Sequence, residues 1–197
     1  MFEEFVQPYG RPQPDTGVEP ASLGLDHSAG LKQFSAEVGG GIFADGLLSV
    51  LSVRERTPDL GGWQHWLPPN SRLFACSAFG FLMVTTGDDV WLVNTQYGEI
   101  LETELSIREA ILQCTVPTTR AEILRSRLFE LWNQMAGPLP HDSVLSPTPA
   151  IALGGTWTVT TLSVMTLPVY LSFTAQIFAP GGGSPANVHR LADEPPS

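Results

Sequence analysis

Arg72-Leu-Phe-Ala-Cys-Ser77, Phe81-Leu-Met-Val-Thr-Thr86, Val90-Trp-Leu-Val-Asn94 and Ile100-Leu-Glu-Thr103 follow one another with only short breaks. Each run is rich in β-branched, aromatic and other apolar residues, a composition that suits a pleated, half-buried surface. Gly87-Asp-Asp89 and Gln96-Tyr-Gly-Glu99 supply turn chemistry between the later runs, and Gly80 marks a kink between the first two. Breaks this short permit hairpins but no parallel crossover, so the stretch reads as an antiparallel meander.

Helical patterns flank it. Phe2 to Gln7 predicts a short helix stopping at Pro8, and Pro12, Pro14 and Pro20 make Arg11 to Pro20 an extended connector. Leu31, Phe34 and Val38 fall at helical spacing within Ser28 to Val38, and Gly39-Gly-Gly41 ends that helix. Leu47 to Val53 reads as a strand, and Trp63-Gln-His-Trp-Leu67 as one helical turn stopped by Pro68-Pro69. After the meander, Ser106-Ile-Arg-Glu109 and Thr119-Arg-Ala-Glu122 each form a capping box. The first opens a helix carrying Ile107, Ile111 and Cys114. The second is expected to open the strongest helix, with Leu124, Leu128, Leu131 and Met135 on one apolar stripe, stopped by Gly137-Pro138.

Further on, Pro149-Ala-Ile-Ala-Leu-Gly-Gly155 is an apolar run closing on two glycines. It predicts a buried strand ending where only glycine fits. Thr156 to Val164 suits a strand or hairpin, and Leu167-Pro168 starts a last helix. The expected class is α+β, an antiparallel sheet packed against several helices in one compact domain. Residues 1–105 form its N-terminal region, 106–179 a C-terminal helical region, and 180–197 a polar tail expected to be disordered.

Composition narrows the function classes. With 43% hydrophobic residues among 197, the chain can bury a sizeable core. The formal charge is −10, and Lys32 is the one lysine. Such a surface repels nucleic acid and anionic lipid and attracts basic proteins. Cys76 and Cys114 sit in apolar context and read as buried free thiols of a reducing compartment. The acidic opening Met1-Phe-Glu-Glu-Phe5 lacks the form of a signal peptide, and Leu162 to Ala179 is too polar for a membrane span. A cytoplasmic protein is expected.

No catalytic constellation emerges. His27, His65, His141 and His189 are scattered without metal spacing, so neither metal nor cofactor is expected. Gly39-Gly-Gly41 follows a helix instead of opening one, which argues against a phosphate loop, and no Gly-x-Ser-x-Gly elbow occurs. Ser77 lies within a packed strand, and Asp45 precedes glycine as a turn aspartate does. The chain therefore reads as a non-enzyme. Asp88, Asp89, Glu99, Glu102, Glu104 and Glu109 cluster along the meander turns and the next helix start. They form either a solvated surface or a binding face for a basic partner, whose approach they would steer. Trp63, Trp66 and Trp91 raise an alternative, a small-ligand or peptide-binding regulatory module built on an aromatic pocket.

Several segments, in order, resemble a known family. Phe34 with Gly40-Gly-Ile-Phe-Ala-Asp-Gly-Leu-Leu48 resembles its helix end, glycine turn and Asp-Gly-Leu entry into a strand. Trp63 to Leu67 matches its short tryptophan-leucine helix, and Ser77-Ala-Phe-Gly80 with Leu82 its small-Ala-Phe-Gly-x-Leu element. Leu139 to Gly155 resembles its C-terminal signature, and Leu171 to Gln176 its closing helix. Together they resemble the GAD-like family with its associated C-terminal domain, found in immunity proteins of bacterial type VI secretion systems. Phe81 stands where that family often has an acidic residue. The resemblance implies a cytoplasmic protein that binds and neutralises a cognate antibacterial toxin, frequently a DNA-degrading nuclease. The marks Asp45, Gly46, Phe79, Gly80, Gly154 and Gly155 are structural, so the resemblance carries over no catalytic residue.

Overall fold

The four β-rich runs fold as four consecutive strands: β3 (Arg72–Ser77), β4 (Phe81–Thr86), β5 (Asp89–Asn94) and β6 (Glu99–Thr103). The structure, a computed structural model, describes residues 2–12, 29–50, 59–178 and, as backbone, 187–190. The meander extends at one side through β2 (Leu48–Val50) and β1 (Gly41–Phe43), all antiparallel, and at the other through β9 (Asn187–Arg190), parallel to β6. Around it lie α1 (Glu3–Tyr9), α2 (Ala29–Glu37), α3 (Ile107–Gln113), α4 (Ser126–Ala136) and α5 (Leu167–Phe178). A separate hairpin pairs β7 (Ser143–Pro147) with β8 (Leu162–Thr166). The class is α+β.

Both faces of the sheet are covered, so its central strands are apolar throughout instead of alternating. Phe74, Ala75, Met83 and Val90 pack toward α1, α2, α3 and α4, while Leu73, Cys76, Leu82, Val84, Trp91 and Val93 pack toward α5 and the 3-10 turn Gly61–Trp66. A bulge between Leu73 and Ala75 keeps Phe74 and Ala75 on one face, so Cys76 returns to the face of Leu73. Among the described residues, 106–178 contribute to the two clusters that cover the sheet and form no third one. Ile107, Ile111 and Cys114 join the first cluster, and Tyr170 and Leu171 the second.

Four local expectations are corrected. Helix α1 runs through Pro8 to Tyr9, because proline near a helix end interrupts few backbone bonds. Thr119–Ile123 forms a single π turn without a side-chain cap, and the strong helix begins only at Ser126. Between them Arg125 takes left-handed angles (φ 50°, ψ 43°), which resets the helical register. The buried face of α4 is therefore Phe129 and Trp132, while Leu131 and Met135 face solvent. Pro149–Gly155 is likewise no buried strand: Ile151–Leu153 is a 3-10 turn with Leu153 60% exposed. The tail expected to be disordered contributes β9; its remainder, like the proline connector beyond Pro12 and the continuation of β2 past Val50, lies outside the described residues.

Gly46, Gly80 and Gly155 occupy positions with no room for a side chain, and Gly154 is set apart by its backbone angles alone. Gly46 (φ +111°) leaves only 2.6 Å between a would-be Cβ and Leu139 Cβ, and the amide of Leu139 donates to the Asp45 carbonyl at 3.0 Å. The Ala78 amide donates to Leu47 and its carbonyl accepts from Leu145, so the three segments meet on one backbone chain of bonds. At Gly155 a Cβ would overlap the Pro149 carbonyl, whereas at Gly154 (φ +88°) it would meet open space. Gly154→Ala should therefore cost about 1 kcal/mol, from backbone angles alone. Gly155→Ala should cost at least about 2 kcal/mol by displacing the turn. Chemical denaturation of the two variants measures both; equal losses would contradict this account.

Candidate functional site

Sheet geometry divides the acidic cluster. The β5–β6 register pairs Val90 with Thr103 and Asn94 with Glu99, so Asp89 and Glu104 both lie one residue beyond the last pair at one end. Glu99 sits at the other end, five residues and roughly 17 Å away along β5. Asp88 lies in the β4–β5 turn, Asp89 opens β5 and Glu104 follows β6, and all three are exposed. Among the described residues no ion pair or side-chain hydrogen bond engages these three carboxylates. Glu102 is half-buried opposite Trp91, on the strand that β9 covers. Glu109 is the capping residue of α3: its carboxylate accepts from the Ser106 amide at 2.8 Å and hydroxyl at 2.7 Å. Those bonds hold its pKa below the usual carboxylate range. The six acids are thus three exposed neighbours, one remote residue, one partly covered and one engaged in structure.

The tryptophan trio does not line a common pocket. Trp63 is fully buried and donates from Nε1 to Thr174 Oγ1 at 3.0 Å, Trp66 packs edge-on against it, and Trp91 is buried in the same core. Among the described residues no group of three or more His, Cys, Asp and Glu could hold a metal ion, and no helix is long and apolar enough to cross a membrane.

Neither thiol is a nucleophile. Cys76 borders a cavity of about 30 Å³ that also touches His141 and Asp142. Burial first and the Asp142 carboxylate second push its thiol up to about 12; burial pushes Cys114 up to about 12 as well. Both remain protonated and unreactive at neutral pH.

A cleft that the sequence did not disclose lies at the Glu99 end of the sheet. It encloses about 230 Å³ between the β5–β6 turn, the π turn and the loop carrying Trp157. Trp157 stands edge-on to Phe79 at 5.5 Å and donates from Nε1 to the Tyr97 hydroxyl at 3.1 Å. Arg125 lays its guanidinium 4.1 Å from the Trp157 ring and donates to the same hydroxyl at 3.3 Å. That stacking accounts for the left-handed backbone at Arg125, since surrounding contacts must over-determine such a conformation. Glu99 and Glu122 also line the cleft, Glu99 accepting from Asn94 at 3.1 Å. No periodicity marks these residues, because they come from four separate segments.

The fold matches the crystal structure of Atu4351 from Agrobacterium tumefaciens with a TM-score of 0.57 and 17% identity, over 98% of this chain and 93% of that chain. At this identity the likeness is one of fold. No family model and no curated protein matches the chain.

Thiol burial has a measurable consequence. An unfolded thiol ionises near 9.0, while the native ones hold their protons to about 12. The contribution is fully present below pH 9 and is lost as pH rises from 9 toward 12, by about 1.4 kcal/mol per pH unit per thiol. Urea midpoints should fall over that window, and Cys76→Ser with Cys114→Ser should flatten the fall. Native protein at pH 8 should resist alkylation at both positions, which mass spectrometry reads directly.

Proposed function

We propose that this chain is an immunity protein that binds and neutralises a cognate antibacterial toxin of type VI secretion, a basic nuclease, by stoichiometric complex formation. It acts in the bacterial cytoplasm without turnover, cofactor or direct nucleic-acid contact. The observation carrying this reading is the charge arrangement at the β4–β5 turn. Asp88, Asp89 and Glu104 are exposed at the Val90–Thr103 end of the β5–β6 ladder, and none of them makes an ion pair among the described residues. Like charges gathered at one end of a sheet repel one another, and a cationic surface that docks there relieves the repulsion. The ordered resemblance to the GAD-like family supports the same reading, as does the protonated state of both thiols, which leaves no activated nucleophile among them.

Co-expression with the toxin encoded beside this chain should restore growth and yield a co-purifying complex. The triple variant Asp88→Lys, Asp89→Lys and Glu104→Lys should slow association about tenfold at low salt and flatten its salt dependence. Continued killing and no complex with the unaltered chain would defeat the proposal. Unchanged association by the triple variant would remove the turn from the interface.

A further inference from the structure

The β7–β8 hairpin leaves one strand edge open. Its inner strand, β7, is tied to the main sheet, the Leu145 amide donating to the Ala78 carbonyl at 2.6 Å. Two further bonds fix how β8 is turned. The Thr148 amide donates to the Thr161 carbonyl at 2.8 Å, and the Leu167 amide to the Asp142 carbonyl at 2.7 Å. Both pairs continue the β7–β8 register, so the bonded positions of β8 are Thr161, Ser163, Met165 and Leu167. Leu162, Val164 and Thr166 alternate with them and turn their backbone groups away from β7. Leu145, paired with Val164, obeys the same alternation by bonding Ala78.

The Leu162 amide is taken by the Val159 carbonyl at the close of a 3-10 turn. Among the described residues nothing bonds the amides of Val164 and Thr166 or the carbonyls of Leu162 and Val164. Natural edge strands are blunted by lysine, proline or a bulge, and Leu162–Thr166 has none of these. Val164 is 47% exposed at its centre. From Ser143 to His189 the chain carries no Asp, Glu, Lys or Arg, although its net charge is −10. The carboxylate nearest in the ladder, Asp142, belongs to the β7 side.

We propose that β8 pairs antiparallel with β8 of a second copy of this chain, about a two-fold axis through Val164. In that register each Val164 amide meets the other copy's Val164 carbonyl, and each Thr166 amide the other copy's Leu162 carbonyl. The open donors and acceptors thus complement themselves, and any shift of register leaves some of them without a partner. Val164 lies opposite Val164, and Ser163 opposite Met165, so no charge meets another across the pair. A basic protein is drawn to carboxylates, and this edge offers none. A second copy is repelled by the acidic remainder and can approach closely only along an uncharged face.

Sedimentation equilibrium of the full chain should show a monomer–dimer equilibrium that tightens with added salt, because salt screens the repulsion between two acidic copies. Val164→Lys and Val164→Glu should each raise the dimer dissociation constant at least about tenfold, with urea midpoints close to the parent's. Mixing the two variants should restore a dimer, since lysine then faces glutamate across the axis. In the parent, hydrogen exchange at the Val164 and Thr166 amides should slow as the chain is concentrated. A chain that stays monomeric, a dimer that salt dissociates, or a mixture no tighter than its components overturns the pairing. Concentration-independent exchange at both amides overturns it as well, whatever the variants do. A monomer whose Val164→Lys variant loses the toxin assigns the edge to the toxin instead. The immunity reading is independent of all these outcomes.

Discussion

The hydroxyl of Tyr170 lies in a completely buried position, where an unmatched polar group costs about 1–3 kcal/mol. Its partners are Thr95 and Gln96 after β5, with the Phe79 carbonyl before β4 as a weaker third at 3.3 Å. Two turns at one end of the sheet are thereby tied to α5. The approach is close enough that a Cβ on Gly80 would overlap the tyrosine ring, which explains glycine there at φ +75°. The same helix carries Thr174, whose hydroxyl accepts from Trp63 and donates to the Tyr170 carbonyl. Through these bonds α5 also holds the 3-10 turn that closes the second core.

That constraint reaches the surface. Because Tyr170 must accept from Gln96, the amide oxygen is directed elsewhere and stays buried without a partner among the described residues, in a residue that borders the Trp157 cleft. Arg125, stacked on Trp157, forms the opposite wall and takes a backbone conformation it would not otherwise adopt. The π turn, the reset of α4 and the cleft are therefore parts of one arrangement. Meanwhile the ladder register spreads the acidic residues to both ends of the sheet, so two charged regions lie where composition suggested a single patch.

Elements governed by local chemistry were legible in the sequence. The meander was readable because its strands carry their own composition and turns. The capping box at Ser106 was readable because hydroxyl and carboxylate lie three residues apart and satisfy each other. Its counterpart at Thr119 has the same spelling but no side-chain cap, since the conformation there is set by where Arg125 stacks, 32 residues before Trp157. Pro149–Gly155 misled in a different way. Gly155 has no room for a side chain and Gly154 has a positive φ, but the apolar residues sit largely on a turn outside the core, and hydrophobicity alone cannot tell the two apart.

What the sequence determined by itself is the class of fold, the four strands of the meander, the acidity of the surface and the inert placement of both thiols. These follow from short-range periodicity, turn residues and net composition, all encoded within a few positions. Tertiary structure alone decided which acids are neighbours, which face of α4 is buried, and that a guanidinium and two carboxylates share a cleft. Those outcomes depend on strand register and on contacts between segments distant along the chain. Both arise only when the buried hydroxyl of Tyr170 and the apolar faces around it find partners together.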